Sequence, residues 1–316
     1  MTTKRVLVPL TKGAWINSAV LQAAVKAIQP SAKVRLRVAV ASDAHPHDVQ
    51  AVRALRQQFP HVLPEPEMEV DLAKPKDTAH ALEGCDSMLL STGVDNWKVL
   101  EMERALLEGA KGTGVNHVVK VSCPSGMIGN KSGAGLAQMH ARIEQEVREQ
   151  GFAHAQFVRP NTSMQAFLRG RWFEMVCGRT LSVSVKNGAV AFVDERDVAE
   201  SVCKLLLQKP PQGTDEFDLT GPEALTFERV AKLLTQGIGQ NVRYSYFPLW
   251  AVQPAMWIKG ARPESIMALI EEAKALEYGA EGTVTSTVSE LLGKPARSFE
   301  DFAKENAKSW PLASFK

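Results

Sequence analysis

Residues 135–161 have the sequence GLAQMHARIEQEVREQGFAHAQFVRPN, a helical stretch followed by a short apolar run and an abrupt polar turn. His140 and Glu144 stand four residues apart, so they share one face of the predicted helix. There the acid would fix the tautomer of the ring or raise its basicity. The run 155–159 is typical of a buried strand, and Pro160 ends it because proline offers no backbone donor to a sheet. Such a unit belongs to α/β sheets, which bind ligands at the carboxyl ends of their strands.

The N-terminal half repeats this alternation of apolar runs and helical stretches. Strands are predicted at 5–10, 34–41, 68–72, 87–93 and 118–121, and helices at 18–25, 48–59, 76–82 and 97–111. This alternation predicts an α/β protein, a doubly wound parallel sheet of Rossmann-like type with helices on both faces. After residue 161 apolar runs and helical stretches no longer alternate regularly. We therefore expect a Rossmann-like domain over 1–160 and a smaller C-terminal substrate lobe over 161–316, with 187–212 packing back on the sheet.

The composition is typical of a soluble enzyme-sized protein. Of the 316 residues, 45% are hydrophobic and 23% are charged, enough for one large core and a smaller one. A net charge of +2 without a basic stripe argues against nucleic acid as a partner, and no apolar run approaches membrane-spanning length. The chain enters its first strand too early to carry a signal peptide. We expect a cytoplasmic monomer or homodimer with no membrane partner.

The cysteines give no sign of a metal site. Cys85, Cys123, Cys177 and Cys203 are widely scattered and lack the paired spacing of zinc ligands. Reduced thiols in a reducing compartment are the simplest interpretation. No metal is therefore expected.

Further segments resemble one protein family. They are VVKVS at 118–122, FVDERDVA at 192–199, FDLTGPEALT at 217–226 and LGKPARSFEDF at 292–302. Together with the helix and the Arg-Pro strand end of 135–161, they resemble the NmrA-like branch of the atypical short-chain dehydrogenase/reductases. The resemblance covers most of the chain, and its later motifs specify the family rather than a reaction.

The resemblance implies a reductase that transfers a hydride between a nicotinamide cofactor and a small apolar unsaturated substrate, such as an imine, an enal or a quinone. A dry pocket would be made by Asn161, Met164, Phe167, Trp172 and lobe residues around Trp250 to Trp257, although the aromatic side chains are first of all candidates for core or lid packing. Two alternatives stay open. One is a non-catalytic regulator or scaffold that senses NAD(P), and the other is a cofactor-free isomerase or cyclase that reuses the pocket.

The first strand-to-helix turn departs from the family. Relatives carry G-x-x-G-x-x-G there, and those glycine positions fall on Thr11, Ala14 and Asn17 in this chain. The free N–H groups at the start of the helix would still attract phosphate, but this loop could also have lost dinucleotide binding. The resemblance assigns the turn to the cofactor through Thr11, Lys12, Gly13, Trp15 and Ile16.

The other predicted cofactor contacts follow the strand ends. Asp43 after the second strand would serve NAD, unless it lies too far along its loop, and Ser42 would donate to a ribose or a phosphate. The family leans to NADP, and that alone favours NADP over NAD. By resemblance, Asp71 and Leu72 would lie near the adenine, although Asp71 equally suits a turn or a helix cap. The same resemblance assigns Ser91, Thr92, Gly93, Pro160 and Asn161 to the cofactor.

His140 and Glu144 occupy the places where ordinary members of the superfamily carry Tyr-x-x-x-Lys, so the resemblance makes them candidate proton-exchange groups. In a purely structural alternative, Glu144 binds backbone or cap groups and His140 faces solvent or the small lobe. Ser122 falls where ordinary short-chain dehydrogenases hold their substrate-orienting serine, and it also suits a turn. Lys120 would either reach the sheet edge or meet a ligand. We expect Arg159 to brace its strand end and Asp197 to cap a helix at 198–207.

Overall fold

The computed structural model describes residues 3–12, 15–93, 98–128, 135–208 and 212–311, and the side chain of Trp15 lies outside this description. The chain forms two compact units. The first comprises Met1–Cys123, Met139–Arg159 and Val198–Phe217, and the second comprises Pro124–Gln138, Pro160–Asp197 and Asp218–Lys316. The chain thus passes between the units several times rather than once near residue 160. The return expected at 187–212 overlaps the segment Val198–Phe217 of the first unit.

The elements of the described ranges are numbered in chain order. The strands are β1 (Lys4–Leu10), β2 (Val34–Val40), β3 (Met68–Glu69), β4 (Ser87–Leu90), β5 (His117–Val121), β6 (His154–Pro160), β7 (Thr180–Val183), β8 (Ala189–Val190), β9 (Gly213–Leu219), β10 (Leu225–Thr226) and β11 (Arg243–Tyr246). The α-helices are α1 (Trp15–Ala27), α2 (Pro46–Gln58), α3 (Pro75–Leu82), α4 (Val99–Ala110), α5 (Ser125–Ile128), α6 (Gly135–Gln150), α7 (Gly170–Cys177), α8 (Glu195–Leu207), α9 (Phe227–Ile238), α10 (Leu249–Ile258), α11 (Pro263–Glu277), α12 (Thr287–Leu292) and α13 (Phe299–Glu305).

The main sheet, as far as the structure describes it, has seven strands in the order β3-β2-β1-β4-β5-β6-β9. β1 pairs in parallel with β2 and β4, and β5 pairs in parallel with β4 and β6. The order 3-2-1-4-5-6 is that of a doubly wound dinucleotide fold, in which the winding reverses between β1 and β4. The predicted α/β class is confirmed.

The central strands are apolar because helices cover both of their faces. Leu7 of β1, Leu90 of β4 and Val118 of β5 are fully buried. On one face they pack with buried side chains of α4 and α6, among them Leu106 and Ile143. This packing holds β1, β4 and β5 against α4 and α6, the two helices that carry residues of the candidate site.

The predicted boundaries differ from the structure mainly at the strand ends. β4 stops at Leu90, so Ser91, Thr92 and Gly93 lie in the loop that follows it. β3 has only two residues, because Met68 and Glu69 pair with the end of β2 and the chain then turns away.

The second unit has an aromatic core. Phe167 stacks on Trp172 at a centroid distance of 4.7 Å, and both pack against Phe192 and neighbouring apolar residues. Met164, Phe167 and Trp172 are 1%, 0% and 4% exposed. The structure therefore supports core packing for these three side chains rather than the pocket lining considered from the sequence.

The predicted cap at Asp197 is wrong. α8 begins at Glu195, so Asp197 lies in its first turn, where its carboxylate accepts hydrogen bonds from the backbone N–H and the guanidinium of Arg297. Asp194 stands before the helix, and its Oδ1 accepts from the backbone N of Arg196 at 2.8 Å. The capping role belongs to Asp194 because its carboxylate meets a free N–H of the first turn.

Within the described ranges, no helix combines the length and the hydrophobicity needed to cross a membrane.

Candidate functional site

Polar side chains join the carboxyl ends of β1 and β4, where the winding of the sheet reverses. Thr11, directly after β1, donates from Oγ1 to the carbonyl of Thr92 at 2.8 Å. Both residues are buried. These two predicted cofactor residues therefore fix the geometry of the switch point, and their hydroxyls face the interior.

Asn17, at the family's third glycine position, bridges the same two strands. Its Nδ2 donates to the carbonyl of Pro9 at 2.8 Å and to the carbonyl of Ser91 at 2.7 Å. The residue is fully buried, and its Oδ1 has no partner among the residues that the structure describes. A glycine here would remove both of these hydrogen bonds, and each buried polar group left unpaired costs about 1–3 kcal/mol. The replacement is therefore part of the architecture, and it does not require that cofactor binding has been lost.

Asp43 lies close to the β1–α1 turn. Its Oδ1 is 3.5 Å from the backbone N of Lys12, and the side chains of Lys12, Ser42 and Asp43 are exposed. The sequence left open whether Asp43 lies too far along its loop to contact a ribose. At 3.5 Å from the backbone N of Lys12, its carboxylate is close enough to contact a ribose bound at this turn. Gly13 and the side chain of Trp15 lie outside the described part of the chain. Ile16 is buried and offers no surface to a ligand.

The other residues predicted to contact the cofactor near β3 and β4 have turn or core roles in the described structure. Asp71 accepts a hydrogen bond from the backbone N of Ala73 at 3.1 Å and pairs with Lys74 at 2.9 Å, as a turn residue does. Leu72 is 1% exposed and packs in the core. Gly93 has φ +102, a backbone conformation that favours glycine. These observations favour the turn interpretation of Asp71.

Lys120 lies fully buried in β5, against both alternatives considered from the sequence. Its ammonium contacts both carboxylate oxygens of Glu103 from α4, at 2.8 and 3.0 Å. It also donates to the carbonyl of Val121 at 2.5 Å and contacts Nδ1 of His140 at 3.0 Å. Glu103 further accepts from the backbone N and the Oγ1 of Thr92 at 3.3 and 3.4 Å. A buried cation is tolerable only when its donors are paired in this way.

His140 is 2% exposed, so it does not face solvent. Burial, with a further contribution from the Lys120 charge, holds the pKa of His140 well below its usual value. An ammonium has no acceptor, so Nδ1 must accept from Lys120, and the proton of the neutral ring must sit on Nε2. No described residue bonds that Nε2. His140 therefore presents a buried N–H donor that lacks an acceptor in the described structure.

Glu144 belongs to a separate ion pair. Arg159 of β6 binds its two carboxylate oxygens at 3.0 and 2.6 Å and also reaches Glu216 at 2.6 Å. Burial would raise the pKa of Glu144, but the hydrogen bonds and the positive charge of Arg159 outweigh it and hold the pKa below its usual value. In the described structure no hydrogen bond joins His140 to Glu144. The tautomer of the ring is thus set by Lys120 and not by the acid four residues away, and Arg159 braces its strand end as expected.

Pro160 and Asn161 lie in the second unit. Asn161 donates from Nδ2 to the carbonyls of Ala191 and Glu281 at 3.3 and 3.0 Å. The carboxylate of Glu281 accepts from the backbone N of Thr162 at 2.6 Å, and burial raises the pKa of Glu281 to about 7. The side chain of Asn161 thus ties its own loop to two neighbouring segments.

Sequence reasoning missed Glu103. The buried face of α4 includes Val99, Met102, Leu106 and Ala110, and Glu103 falls within that stripe. A carboxylate on an apolar stripe requires a buried cation, and Lys120 in an apolar strand requires a buried anion. A glutamate on an apolar helix face and a lysine in an apolar strand together could have predicted the ion pair between Glu103 and Lys120.

The first unit fits a dinucleotide at the start of α1. This helix of 13 residues begins directly after the turn that follows β1, and its first N–H groups lack helical acceptors. Lys12 adds an exposed positive charge, and Asp43 adds a carboxylate suited to ribose hydroxyls. Close by, the buried Oδ1 of Asn17 has no partner among the residues that the structure describes.

Comparisons with known proteins show the family and the fold to which the chain is similar. A model of the NmrA-like family matches residues 53–303. The NAD(P)H azoreductase of Xenophilus azovorans is 32% identical over 246 residues, which cover 77% of this chain and 83% of the relative. The (4-alkanoyl-5-oxo-2,5-dihydrofuran-3-yl)methyl phosphate reductase of Streptomyces griseus is 30% identical over 233 residues, 73% of this chain and 79% of the relative. The solved NADPH complex of an Escherichia coli quinone oxidoreductase is similar in fold, with a TM-score of 0.77, 18% identity and coverage of 95% and 99%.

Proposed function

This chain belongs to the NmrA-like family, as its motifs predicted, and we propose that it is an NAD(P)H-dependent reductase of small, mostly apolar unsaturated substrates. The observation that carries the proposal is the buried N–H donor of neutral His140, which has no described acceptor. A bound NAD(P)H would supply the hydride. The two curated relatives compared above, both named as reductases, support the reaction class.

The substrates proposed here share one feature. Reduction of an imine, an enal or a quinone leaves negative charge on a nitrogen or an oxygen. A fixed N–H donor in a dry site stabilises such charge far better than it would in water. Nε2 of His140 would act as this donor, and Lys120 keeps the ring in the tautomer that carries the proton on Nε2.

The catalytic proposal is tested by replacing His140. We expect His140→Ala to lower kcat by about a hundredfold, the usual scale for one positioned acid or base, and His140→Gln to retain part of the rate because its amide still donates. The assay is steady-state oxidation of NADPH and NADH with quinones, enals, imines and azo dyes as acceptors. Because the pKa of His140 lies well below its usual value, the wild-type rate should show no limb from this ring near pH 6.5.

His47→Ala serves as the control, because His47 is exposed. Unchanged turnover in His140→Ala would remove the imidazole from the mechanism. A wild-type protein that binds NAD(P)H in calorimetry yet reduces none of these acceptors would favour the sensor or scaffold. A protein that does not bind the cofactor would favour the cofactor-free isomerase or cyclase.

Lys12, Ser42, Asp43 and the first turn of α1 would hold the adenosine end of the cofactor. The family favours NADP, whereas a carboxylate at this place accepts ribose hydroxyls and repels a 2′-phosphate. We expect Asp43→Asn to raise the ratio of kcat/KM for NADPH to kcat/KM for NADH by about tenfold, which corresponds to about 1.4 kcal/mol. Asp48→Asn, in the first turn of α2, is the control. An unchanged ratio would exclude Asp43 from cofactor selection.

A further inference from the structure

Lys120 has its three donors engaged within the described structure. They meet the carboxylate of Glu103, the carbonyl of Val121 and Nδ1 of His140. The ring is thus contacted by a cation on one nitrogen, while the opposite nitrogen carries a proton that no described group accepts. A neutral imidazole is a poor acid by itself, since losing its proton would leave an imidazolate. The ammonium of Lys120 removes this obstacle, because it can give a proton to Nδ1 as Nε2 loses its own.

We propose that Lys120 and His140 form a proton relay, with Glu103 as its positioning residue, that delivers the proton of the reduction to the substrate through Nε2 of His140. This inference rests on the proposed reductase function. It gives the reaction its proton source and makes Lys120 the group that loses the proton, with His140 as the conduit.

The relay balances in protons and charge. After hydride transfer the substrate carries an anionic nitrogen or oxygen, and that atom takes the proton from Nε2 of His140. In the same step Nδ1 takes a proton from the ammonium of Lys120, so the ring stays neutral with its proton moved to the other nitrogen. One negative charge on the substrate and one positive charge on Lys120 disappear together. When the product leaves, a proton from solvent reaches Nε2 and the Nδ1 proton returns to Lys120, so the ring reverts to its first tautomer and the lysine regains its charge.

Glu103 acts on the substrate only through Lys120. Its carboxylate is 1% exposed, contacts the ammonium with both oxygens, and is held in turn by the backbone N and the hydroxyl of Thr92. Thr92 is itself fixed through its carbonyl by Thr11. The carboxylate therefore ties the position of the ammonium to the switch point of the sheet, and it compensates the charge that Lys120 carries before each turnover.

The test combines a tautomer measurement with kinetics. In the ¹⁵N NMR spectrum of the cofactor-free protein with labelled histidine, we expect the His140 ring at pH 7 to be neutral with its proton on Nε2. The double variant Glu103→Gln/Lys120→Met removes both charges together, because a single replacement would leave one buried and unpaired. We expect this variant to retain a cooperative melting transition, to lose the single tautomer, and to show a kcat lowered about tenfold to a hundredfold.

The control variant is Glu108→Gln/Lys111→Met, which removes an exposed pair at the end of the same helix and should leave kcat within twofold. A wild-type ring protonated on Nδ1, or charged at pH 7, would overturn the relay, and so would a folded double variant with wild-type kcat. Each of these results leaves the reductase function standing. A wild-type protein without any reductase activity would instead refute the proposed function, and the relay with it.

Discussion

Replacing Arg159 by methionine is expected to lower the free energy of unfolding by about 3–5 kcal/mol at pH 7, the usual cost of leaving one member of a buried ion pair unpaired. Glu144 is 2% exposed, and Arg159 contributes two of its hydrogen bonds. Arg148 remains at 3.4 Å, with a side chain that is 38% exposed. The measurement is chemical denaturation followed by circular dichroism.

The pH dependence distinguishes this cause from lost packing. The folded-state pKa of Glu144 lies below its usual value of 4.5, so the pair stabilises the protein above that pH and the contribution is lost as pH falls through the folded pKa. The gap between wild type and Arg159→Met should therefore narrow in acid, because protonation removes the unpaired charge. The double variant Arg159→Met/Glu144→Gln should be more stable than Arg159→Met at pH 7.

Arg171→Met is the matched control, since Arg171 binds both oxygens of Glu272 but the two side chains are 40% and 35% exposed. We expect a cost below about 1 kcal/mol there. An equal cost at both arginines, or a gap that does not change with pH, would contradict the assignment of the stabilisation to the buried pair.

The sheet could be predicted because its central strands are buried on both faces and appear in the sequence as continuous apolar runs. The observed bounds of β1 and β2 differ from the predicted ones by a single residue at one end. The end of β4 was harder to predict. Ser91, Thr92 and Gly93 are as buried as a strand, but their burial comes from side chains such as Thr11 and Asn17 that pack around the switch point.

The helix that carries His140 and Glu144 could also be predicted, but the partners of the two side chains could not. Their spacing establishes that they share α6, and it does not reveal which charges stand opposite. A cation from β5 meets the imidazole, and a cation from β6 meets the carboxylate. Glu144 pairs with Arg159 rather than with His140 because a buried guanidinium requires an anionic partner, whereas the neutral imidazole already accepts a hydrogen bond from Lys120.

Asn17, at one of the family's glycine positions, shows a second reason why the site could not be predicted from the sequence. From the sequence, Asn17 counts as a lost glycine, and its loss leaves open whether the loop still binds a dinucleotide. In the structure its amide donates to the carbonyls of Pro9 and Ser91. No local sequence pattern predicts this contact, because Pro9 and Ser91 are far apart in the chain. Substitutions at special backbone positions therefore need the tertiary partners before they can be interpreted.

His117 should give the protein a marked acid sensitivity. The ring is 1% exposed at the start of β5, with Nδ1 3.1 Å from Oγ of Ser87 and Nε2 2.9 Å from Oε1 of Gln156. Burial lowers its pKa from 6.5 to about 4, although the hydrogen bond to Gln156 opposes the shift. Because the folded pKa lies below the unfolded one, the unfolded chain binds the proton first as pH falls. Stability is therefore complete above about pH 6.5 and is lost between 6.5 and 4.

A fall of the pKa from 6.5 to about 4 corresponds to a loss of about 3 kcal/mol from this one ring. His117→Gln cannot titrate, so its free energy of unfolding should fall by about 3 kcal/mol less than that of the wild type between pH 7 and pH 4, whatever its stability at pH 7. His140 is buried and neutral as well and contributes to the slope of both proteins, which is why the difference between them isolates His117. His47→Gln, at an exposed position, should keep the wild-type slope. If His117→Gln loses stability with acid as steeply as the wild type, the ring is not neutral in the folded protein, and the acid sensitivity has another origin.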